Sequence, residues 1–321
     1  MIDNLADLEI FARIVTAGSL SAAGRELGLS PPVVSKRVQR LEERLGARLF
    51  QRTTRKVTLT EAGEGFYERV VAILAAVEEA ENQITHGSAE ARGLLKVSAP
   101  TSFGRMHIAP HLGPLLRANP GLTVDLELSD AIVDIVGEGF DLAVRIGDLD
   151  DSSLVARRLA PVHRVLCATP DYLARAGTPE QICDLAGHVL LATHGQDPWR
   201  LEGPEGPATL RIDAPLRTNS NEVVRAAVLA SVGIALRSTW DVGPELRSGQ
   251  LQVVLPRWRA SHRVGVFAVY PSRRFLPRKV RLFIDHLARL YGPVPSWDEG
   301  LAAVVGAAAT ADEPVKDDLN A

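Results

Sequence analysis

Between Ser30 and Leu59 eight Lys or Arg residues (36, 37, 40, 44, 48, 52, 55 and 56) face only Glu42 and Glu43, a local balance of +6 in a chain whose formal net charge is −3. Basic density of this kind is the electrostatic footprint of phosphate binding, because a merely solvated face mixes its signs. Within the patch, a helical projection at about 100° per residue puts Pro32, Ser35, Lys36 and Gln39 together on the side away from Val34. That set can read base edges in a major groove: Lys36 donates to guanine O6 and N7, Gln39 pairs bidentately with adenine, and Ser35 bonds a base edge or a phosphate. Arg37, Arg40, Arg44 and Arg48 lie nearer the flanks and suit phosphates, with Ser30 at the helix start beside them. The run Gln51 to Thr60 alternates basic and β-forming residues like a small hairpin, from which Arg52, Thr54, Arg55 and Lys56 reach the backbone or the minor groove.

Three elements must hold those side chains. A short helix at Ser21 to Leu27 ends at Gly28, which supplies the left-handed C-cap. A second begins at once, with Ser30 as N-cap, Pro31 at the first helical position, and Val34, Val38, Leu41 and Leu45 as a buried stripe. Ahead of both, Leu5, Leu8, Phe11 and Val15 space an amphipathic helix that covers them. The order is helix, turn, helix, wing.

Behind the wing Thr60 caps the longest periodic stretch of the chain. Phe66, Val70, Ile73, Val77, Ala80 and Ile84 repeat in steps of four and three, the seam of a two-stranded coil. Charges at Glu68, Arg69, Glu78, Glu79 and Glu81 leave little else apolar, so a dimer seam is expected. About 25 residues of helix span about 38 Å. Two groove-reading helices held about one DNA turn apart would read a palindrome.

The segment resembles the N-terminal winged helix-turn-helix of LysR-type transcriptional regulators. The resemblance rests on Ala22-Ala23, Leu27-Gly28-Leu29-Ser30, Val34-Ser35, Leu41-Glu42, Leu45-Gly46, Leu49-Phe50, Arg52, Leu59-Thr60 and Ala62-Gly63. Pro32 departs from the pattern, since the family often carries a polar residue at that base-facing position. The likeness continues through Gly93 to Phe103, Gly139 to Gly147, Arg164 to Leu173 and Asn221 to Leu236. Asp151-Ser-Ser-Leu154 and Tyr270-Pro-Ser-Arg-Arg274 are similar to the subgroup with CrgA-like effector domains.

From Leu94 onward short β-rich runs alternate with helices, as in an α/β domain. Strands are expected at 94–98, 122–128, 141–145, 154–159, 164–168, 189–192, 210–212, 216–218, 233–236 and 264–270, and helices near 103–117, 131–138, 170–176, 221–231 and 277–291. The resemblance implies an α/β fold of three parts: a winged helix-turn-helix (1–59), a long linker and dimerisation helix (60–90), and a two-lobed effector domain like type 2 periplasmic-binding proteins. Lobe I then comprises 91–163 plus 267–292 and lobe II 164–266, with two crossing strands as hinge. Residues 293–321, Ala-rich and then acidic, are expected to be a mobile tail, with a short helix possible within Leu301 to Ala309.

A cleft between such lobes is where a small molecule would sit, against polar residues at strand ends and helix starts. Thr101 and Ser102 precede a helix whose amides and dipole can hold a carboxylate. Ser129, with Asp130, closes the second strand, Arg145 the third, and Asn219 and Ser220, with Asn221, open a helix of the second lobe. Ordinary capping is the competing reading for each. Arg145 is read more readily as an ion-pair partner of Asp141 or Asp148, and His163, His194 and Trp199 as structural residues.

Composition bounds the rest. With 321 residues, 46% of them hydrophobic, the chain can bury more than one core. Asp3, Asp7 and Glu9 interrupt any signal peptide, and no apolar run of about 18 residues could span a bilayer. Two cysteines, Cys167 and Cys183, make no disulfide framework, so a soluble cytoplasmic protein is expected. Cys167 near His163 and His188 lacks any metal-ligand spacing and falls within an apolar strand, and only Arg164 is at hand to lower a thiol pKa. No catalytic residue, metal or cofactor is assigned.

The reading is a regulator that binds double-stranded promoter DNA as a homodimer or dimer-of-dimers tetramer. A small-molecule effector, an organic anion, controls promoter binding or bending, with RNA polymerase a further partner if the protein activates; no membrane is involved. A solute-binding protein or enzyme of similar lobed fold would need a secretory signal or a catalytic constellation, and an architectural DNA-binder would respond to no small molecule.

Overall fold

A computed structural model describes residues 5–52, 57–85, 91–148, 154–261, 263–271 and 276–305. The first part runs α1 (Leu5–Ala17), α2 (Leu20–Glu26), α3 (Pro31–Leu45), β1 (Phe50–Arg52), β2 (Val57–Leu59) and α4 (Glu61–Thr85). Then come β3 (Gly93–Ala99), α5 (Thr101–Phe103), wider and tighter helical turns to His111, α6 (Leu112–Ala118), β4 (Leu122–Leu128), β5 (Leu142–Gly147), β6 (Val155–Pro161), β7 (Arg164–Ala168) and α7 (Pro170–Ala176). The remainder holds β8 (Leu190–Leu191), β9 (Trp199–Gly203), β10 (Gly206–Leu210), α8 (Asn221–Leu229), β11 (Ile234–Ser238), α9 (Thr239–Ser248), β12 (Gln252–Val253), β13 (Arg259–Ala260), β14 (Gly265–Tyr270), α10 (Arg278–Tyr291) and α11 (Ala302–Val305). Two compact units divide them, 1–145 with 149–157 and 267–287, and 146–148 with 158–266 and 288–321.

Within the first unit, α1 to α3 pack Leu8, Ile10, Phe11, Ile14, Ala23, Val34, Val38 and Leu41 against Leu49, Phe50, Tyr67 and Val70. Phe11 is the hub, its ring 5.2 Å from both Phe50 and Phe66 and 6.2 Å from Tyr67. Leu5 and Leu45, expected on the buried stripes, are instead 44% and 37% exposed. They are the first residue of α1 and the last of α3, where no neighbouring turn remains to cover them.

Caps fix where these helices stop. Ser19 Oγ accepts from Ala22 N at 3.1 Å and starts α2, and Gly46 at φ 66 ends α3. Ser30 stands at the N-cap of α3 without a side-chain bond, leaving the start to Pro31, whose missing N–H needs no partner there. Thr60 Oγ1 accepts from Gly63 N at 3.0 Å and donates to Arg48 O at 2.7 Å, so one hydroxyl caps α4 and ties it to the wing.

One buried carboxylate joins the reading helix to the wing. Glu42, 7% exposed, accepts from Leu49 N at 2.8 Å and Phe50 N at 3.2 Å through one oxygen. Antiparallel β1 and β2 follow at once, with Phe50 opposite Leu59 and Arg52 opposite Val57.

Behind α4, a five-stranded sheet runs β4-β3-β5-β14-β6, with β3 parallel to both β4 and β5. The expected helix at 131–138 is absent; the chain makes turns at 135–139 instead. Asp134 Oδ1 accepts from Gly137 N at 2.9 Å, Gly139 takes φ 69, and Ile135 and Phe140 both enter the core, so the segment doubles back rather than coils.

In the second unit the sheet order is β10-β9-β13-β7-β11-β8, with β12 also on β7. Apolar side chains cover both faces: Leu166, Trp199, Leu201 and Leu236 on one, Cys167, Val224, Val228 and Ala235 on the other. The hairpin β9–β10 was not anticipated, and the strands expected at 210–212 and 216–218 are not formed, because Ile212 N bonds Asp197 Oδ1 and Thr218 O takes a lone bond from His194 N. Helix α9 was also missed, since Gly243-Pro244 reads as a break. Residues 295–301, expected in a mobile tail, are packed: Trp297 and Leu301 are 4% and 3% exposed, and Arg247 donates to the carbonyls of Trp297 and Glu299 at 3.1 Å.

Glu42→Ala would leave the buried Leu49 and Phe50 amides without an acceptor, at about 2 kcal/mol of reader stability. Thermal unfolding followed through the reader should show that loss, with Glu42→Gln, which keeps an acceptor oxygen, in between.

Candidate nucleic-acid interface and ligand-binding residues

Pro32, Lys36, Gln39 and Arg40 are exposed and Ser35 is half-buried, on the face of α3 opposite Val34, Val38 and Leu41. The expected base-facing set is thus assembled on one surface. Some of its members already hold partners: Gln39 Nε2 donates to Glu43 Oε1 at 2.9 Å, one turn on. Arg37 donates to Asp7 at 3.4 Å, and Arg48 lies 3.9 Å from Glu42 Oε2. The backbone of Arg52 pairs in β1, its side chain and all of Thr54, Arg55 and Lys56 lying outside the described residues.

The α4 stripe divides. Val70 is fully buried in the reader core and Phe66, partly buried, packs against it. Ile73 is 42% exposed and Val77 partly exposed, while the side chains of Ala80 and Ile84 lie outside the described residues.

Four of the expected ligand residues, Thr101, Ser102, Ser129 and Arg145, lie in the first unit. Thr101 N donates to Asp130 Oδ1 at 2.9 Å, so a carboxylate of the chain itself occupies the first helical amide. Ser102 is 4% exposed and its hydroxyl has no partner among the described residues. Ser129 turns its hydroxyl to Ala131 N at 3.2 Å, a local turn. Arg145 is not paired with the expected acids: Asp141 holds Lys279 at 3.1 Å and Asp148 lies 3.4 Å from Arg263. Among the described residues it donates to neutral oxygens, Val144 O at 3.1 Å and Ser98 Oγ at 3.2 Å. Burial lowers its pKa from the ordinary guanidinium value, and the Glu138 charge opposes that shift.

In the second unit Asn219 is exposed, and Ser220 caps α8 without a side-chain bond, its amide donating to Thr218 Oγ1 at 3.0 Å. Asn221 is the engaged residue, its Oδ1 accepting from Gln196 Nε2 at 3.3 Å and Arg237 at 3.2 Å. Arg237, 3% exposed, also donates through two nitrogens to Asp241 Oδ2, and Arg225 bonds Glu245 and Asp241 O. Sequence reasoning missed this buried network, whose one written signal is the Arg237/Asp241 spacing of four.

Trp199 is 1% exposed in the core and His194 exposed. His163 lies 3.8 Å from Asp298; burial lowers the histidine pKa and raises that of the acid, with the opposite charge offsetting part of each shift. His188 Nδ1 sits 3.2 Å from the Tyr172 hydroxyl. Cys167 is fully buried and its thiol pKa is pushed up to about 12, chiefly by burial, whereas Cys183 is exposed. Among the described residues no cluster of three His, Cys, Asp or Glu could hold a metal, and no helix is long and apolar enough to cross a membrane.

A basic reading helix with a wing, ahead of a domain of two mixed sheets, defines a DNA-binding transcriptional regulator with an effector-binding domain. Comparison with known proteins gives the family. Residues 5–64 match the bacterial regulatory helix-turn-helix of the LysR family and residues 88–291 the LysR substrate binding domain. The chain is 38% identical over 291 residues to the HTH-type transcriptional regulator DmlR of Escherichia coli K12, covering 89% of this chain and 94% of that protein. It is 36% identical to the HTH-type transcriptional activator TtdR of Escherichia coli UTI89, covering 88% and 92%. Among solved structures, CrgA of Neisseria meningitidis aligns with a TM-score of 0.57 at 30% identity, over 90% of this chain and 99% of that one. Full-length AphB of Vibrio cholerae aligns with a TM-score of 0.57 at 29%, over 88% and 98%. The chain belongs to the LysR family of transcriptional regulators.

Because the thiolate is the reactive form, thiol titration of the folded chain at pH 8 should label Cys183 quickly and leave Cys167 untouched. Cys183→Ser should then abolish the fast phase; a fast phase that survives would contradict the buried assignment of Cys167.

Proposed function

We propose that the chain reads a palindromic promoter site as a dimer, with Ser30, Pro32, Ser35, Lys36, Gln39 and Arg40 at the major groove and the wing, from Arg52 through Thr54, Arg55 and Lys56, on the flanking backbone. The observation that carries the reading is the exposed Lys36, Gln39 and Arg40 surface set directly opposite the buried Val34, Val38 and Leu41 stripe. Lys36 and Gln39 supply base-edge donors and Arg40 a phosphate contact. A pairing seam along α4 begins at Ile73, after the two residues the reader core takes up, and continues through Val77, Ala80 and Ile84. Two such dimers form the working tetramer, and RNA polymerase is the further partner where transcription is activated.

The effector is an organic anion. Arg145 supports this, as a half-buried guanidinium whose bonds run to the neutral Ser98 hydroxyl and Val144 carbonyl, and so does the unpartnered Ser102 hydroxyl beside Thr101. Asn219 and Ser220, near the Asn221–Arg237 bond, are the polar candidates of the second unit taken by itself. Control by the effector requires different affinities for two arrangements of the chain, since equal affinity shifts nothing. The protein acts in the cytoplasm and catalyses no reaction, in keeping with a family of regulators rather than enzymes.

Lys36→Ala should weaken specific promoter binding by about 1–3 kcal/mol, while footprints of the native protein cover two half-sites about one DNA turn apart. Unchanged footprints and affinity would remove α3 from the groove. Arg145→Ala should abolish the rise in melting temperature produced by a panel of mono- and dicarboxylic acids; a rise equal to that of the native chain would exclude Arg145 as the anion's partner.

A further inference from the structure

The first turn of α3 sets two prolines and a valine in water. Pro31, Pro32 and Val33 are all exposed, Val33 by 41%. Val33 belongs neither to the buried stripe nor to the expected base-facing set, and an isolated helix would be better served by alanine at that position. Its place is nonetheless fixed. Leu29 N donates to Gly24 O at 2.8 Å, and a Cβ on Gly24 would fall 2.7 Å from Leu29 O, so the backbone of α2 lies directly behind the turn that launches α3. Val34 then enters the core fully buried, and Val33 stands about 100° round the helix from it.

This turn is also poor in donors. A helix start ordinarily offers free amides to a phosphate. Here Pro31 and Pro32 carry no N–H, and Val33 N and Val34 N both donate to Ser30 O, at 2.9 and 3.1 Å. What the tip presents is carbon. Cations stand just behind it: Lys36 and Arg40 are exposed, and Arg37 is bonded to Asp7 at 3.4 Å. An apolar tip backed by cations fits a surface that is anionic at its rim and holds small apolar groups within. The major groove is such a surface, since the C5-methyl of thymine is the apolar group its base edges display. Three side chains fall far short of the area a protein partner would need.

We infer that Val33, with Pro32 beside it, reads the methyl group of a thymine in each half-site and so fixes the base at one position of the recognised sequence. The inference rests on the promoter reading above and deepens it. Lys36 and Gln39 take the hydrogen-bonding edges, while Val33 takes a group that no hydrogen bond detects. Thymine is thereby told from cytosine, whose C5 bears only hydrogen, and from both purines.

Duplexes enriched from a random pool by the full chain supply the probe, and replacing each thymine singly by deoxyuridine removes one methyl and nothing else. At one thymine of each half-site the native chain should lose affinity about fourfold, the worth of one buried methyl. Val33→Ala, an exposed substitution toward a better helix former, should fold as the native chain does and bind the thymine and deoxyuridine duplexes within about twofold of each other at that position. A native loss below twofold at every thymine, or a loss above twofold that persists in Val33→Ala, would overturn the inference. Lys36→Ala, measured on the same duplexes, separates the two readings. If it weakens binding as expected and no deoxyuridine does, the methyl reading alone falls. If it binds as the native chain does, or if the chain enriches no sequence at all, the promoter reading falls and the methyl reading with it.

Discussion

A buried carboxylate holds the reader in shape. Glu42 leaves the water-facing side of α3 to accept from two consecutive amides, Leu49 and Phe50, at the point where the chain turns into the wing. Those amides open β1 and would otherwise be buried without partners, so the acid fixes the distance and angle between the groove helix and the hairpin. Everything that gives the reader a definite surface follows from it. Phe50 can then meet Phe11, Thr60 can bond Arg48 O and cap α4, and α4 can lay Tyr67 and Val70 on the same core.

The basic surface is less uniform than its charge count implies. Arg37 is bonded to Asp7, Arg48 lies near Glu42, and Gln39 bonds Glu43 in the absence of DNA. A base that takes Gln39 must first compete with an exposed contact one helical turn away, a contact of small net worth in water. Lys36 and Arg40 remain exposed on the same face. The surface thus sets exposed side chains beside one already bonded within α3.

The reader was legible because its positions are periodic and its stops are single residues: Gly28, Pro31, Gly46 and Thr60 each mark an end that the fold respects. The strands β3, β4, β7 and β11 were legible as apolar runs. What stayed hidden depends on distant contacts. Glu42 reads as one more exposed acid of a charged helix until Leu49 and Phe50 fold back upon it. The 131–138 stretch carries helix-like spacing, but Ile135 and Phe140 must both face one core, and only a tight turn allows that. At the candidate ligand positions, Thr101 and Ser102 could be singled out from a strand end before a helix. The bond of the Thr101 amide to Asp130 and that of Arg237 to Asn221 could not, because each joins partners 29 or 16 residues apart.

The packing of residues 295–301 sets where the second unit really ends. Matching to the family's substrate binding domain stops at residue 291, yet Trp297 and Leu301 lie in the interior, the Tyr291 and Trp297 rings meet at a tilt of 58° with centroids 5.1 Å apart, and the Arg247 guanidinium is anchored on two carbonyls of this stretch. A domain boundary drawn from homology would therefore cut through a wall of the fold, uncovering the flank of α9 at Gly243, where a Cβ would already fall 2.9 Å from Trp297 O. Fragments for crystallisation, fusions and domain exchanges with other family members have to keep the chain through Leu301 if this unit is to retain its own surface.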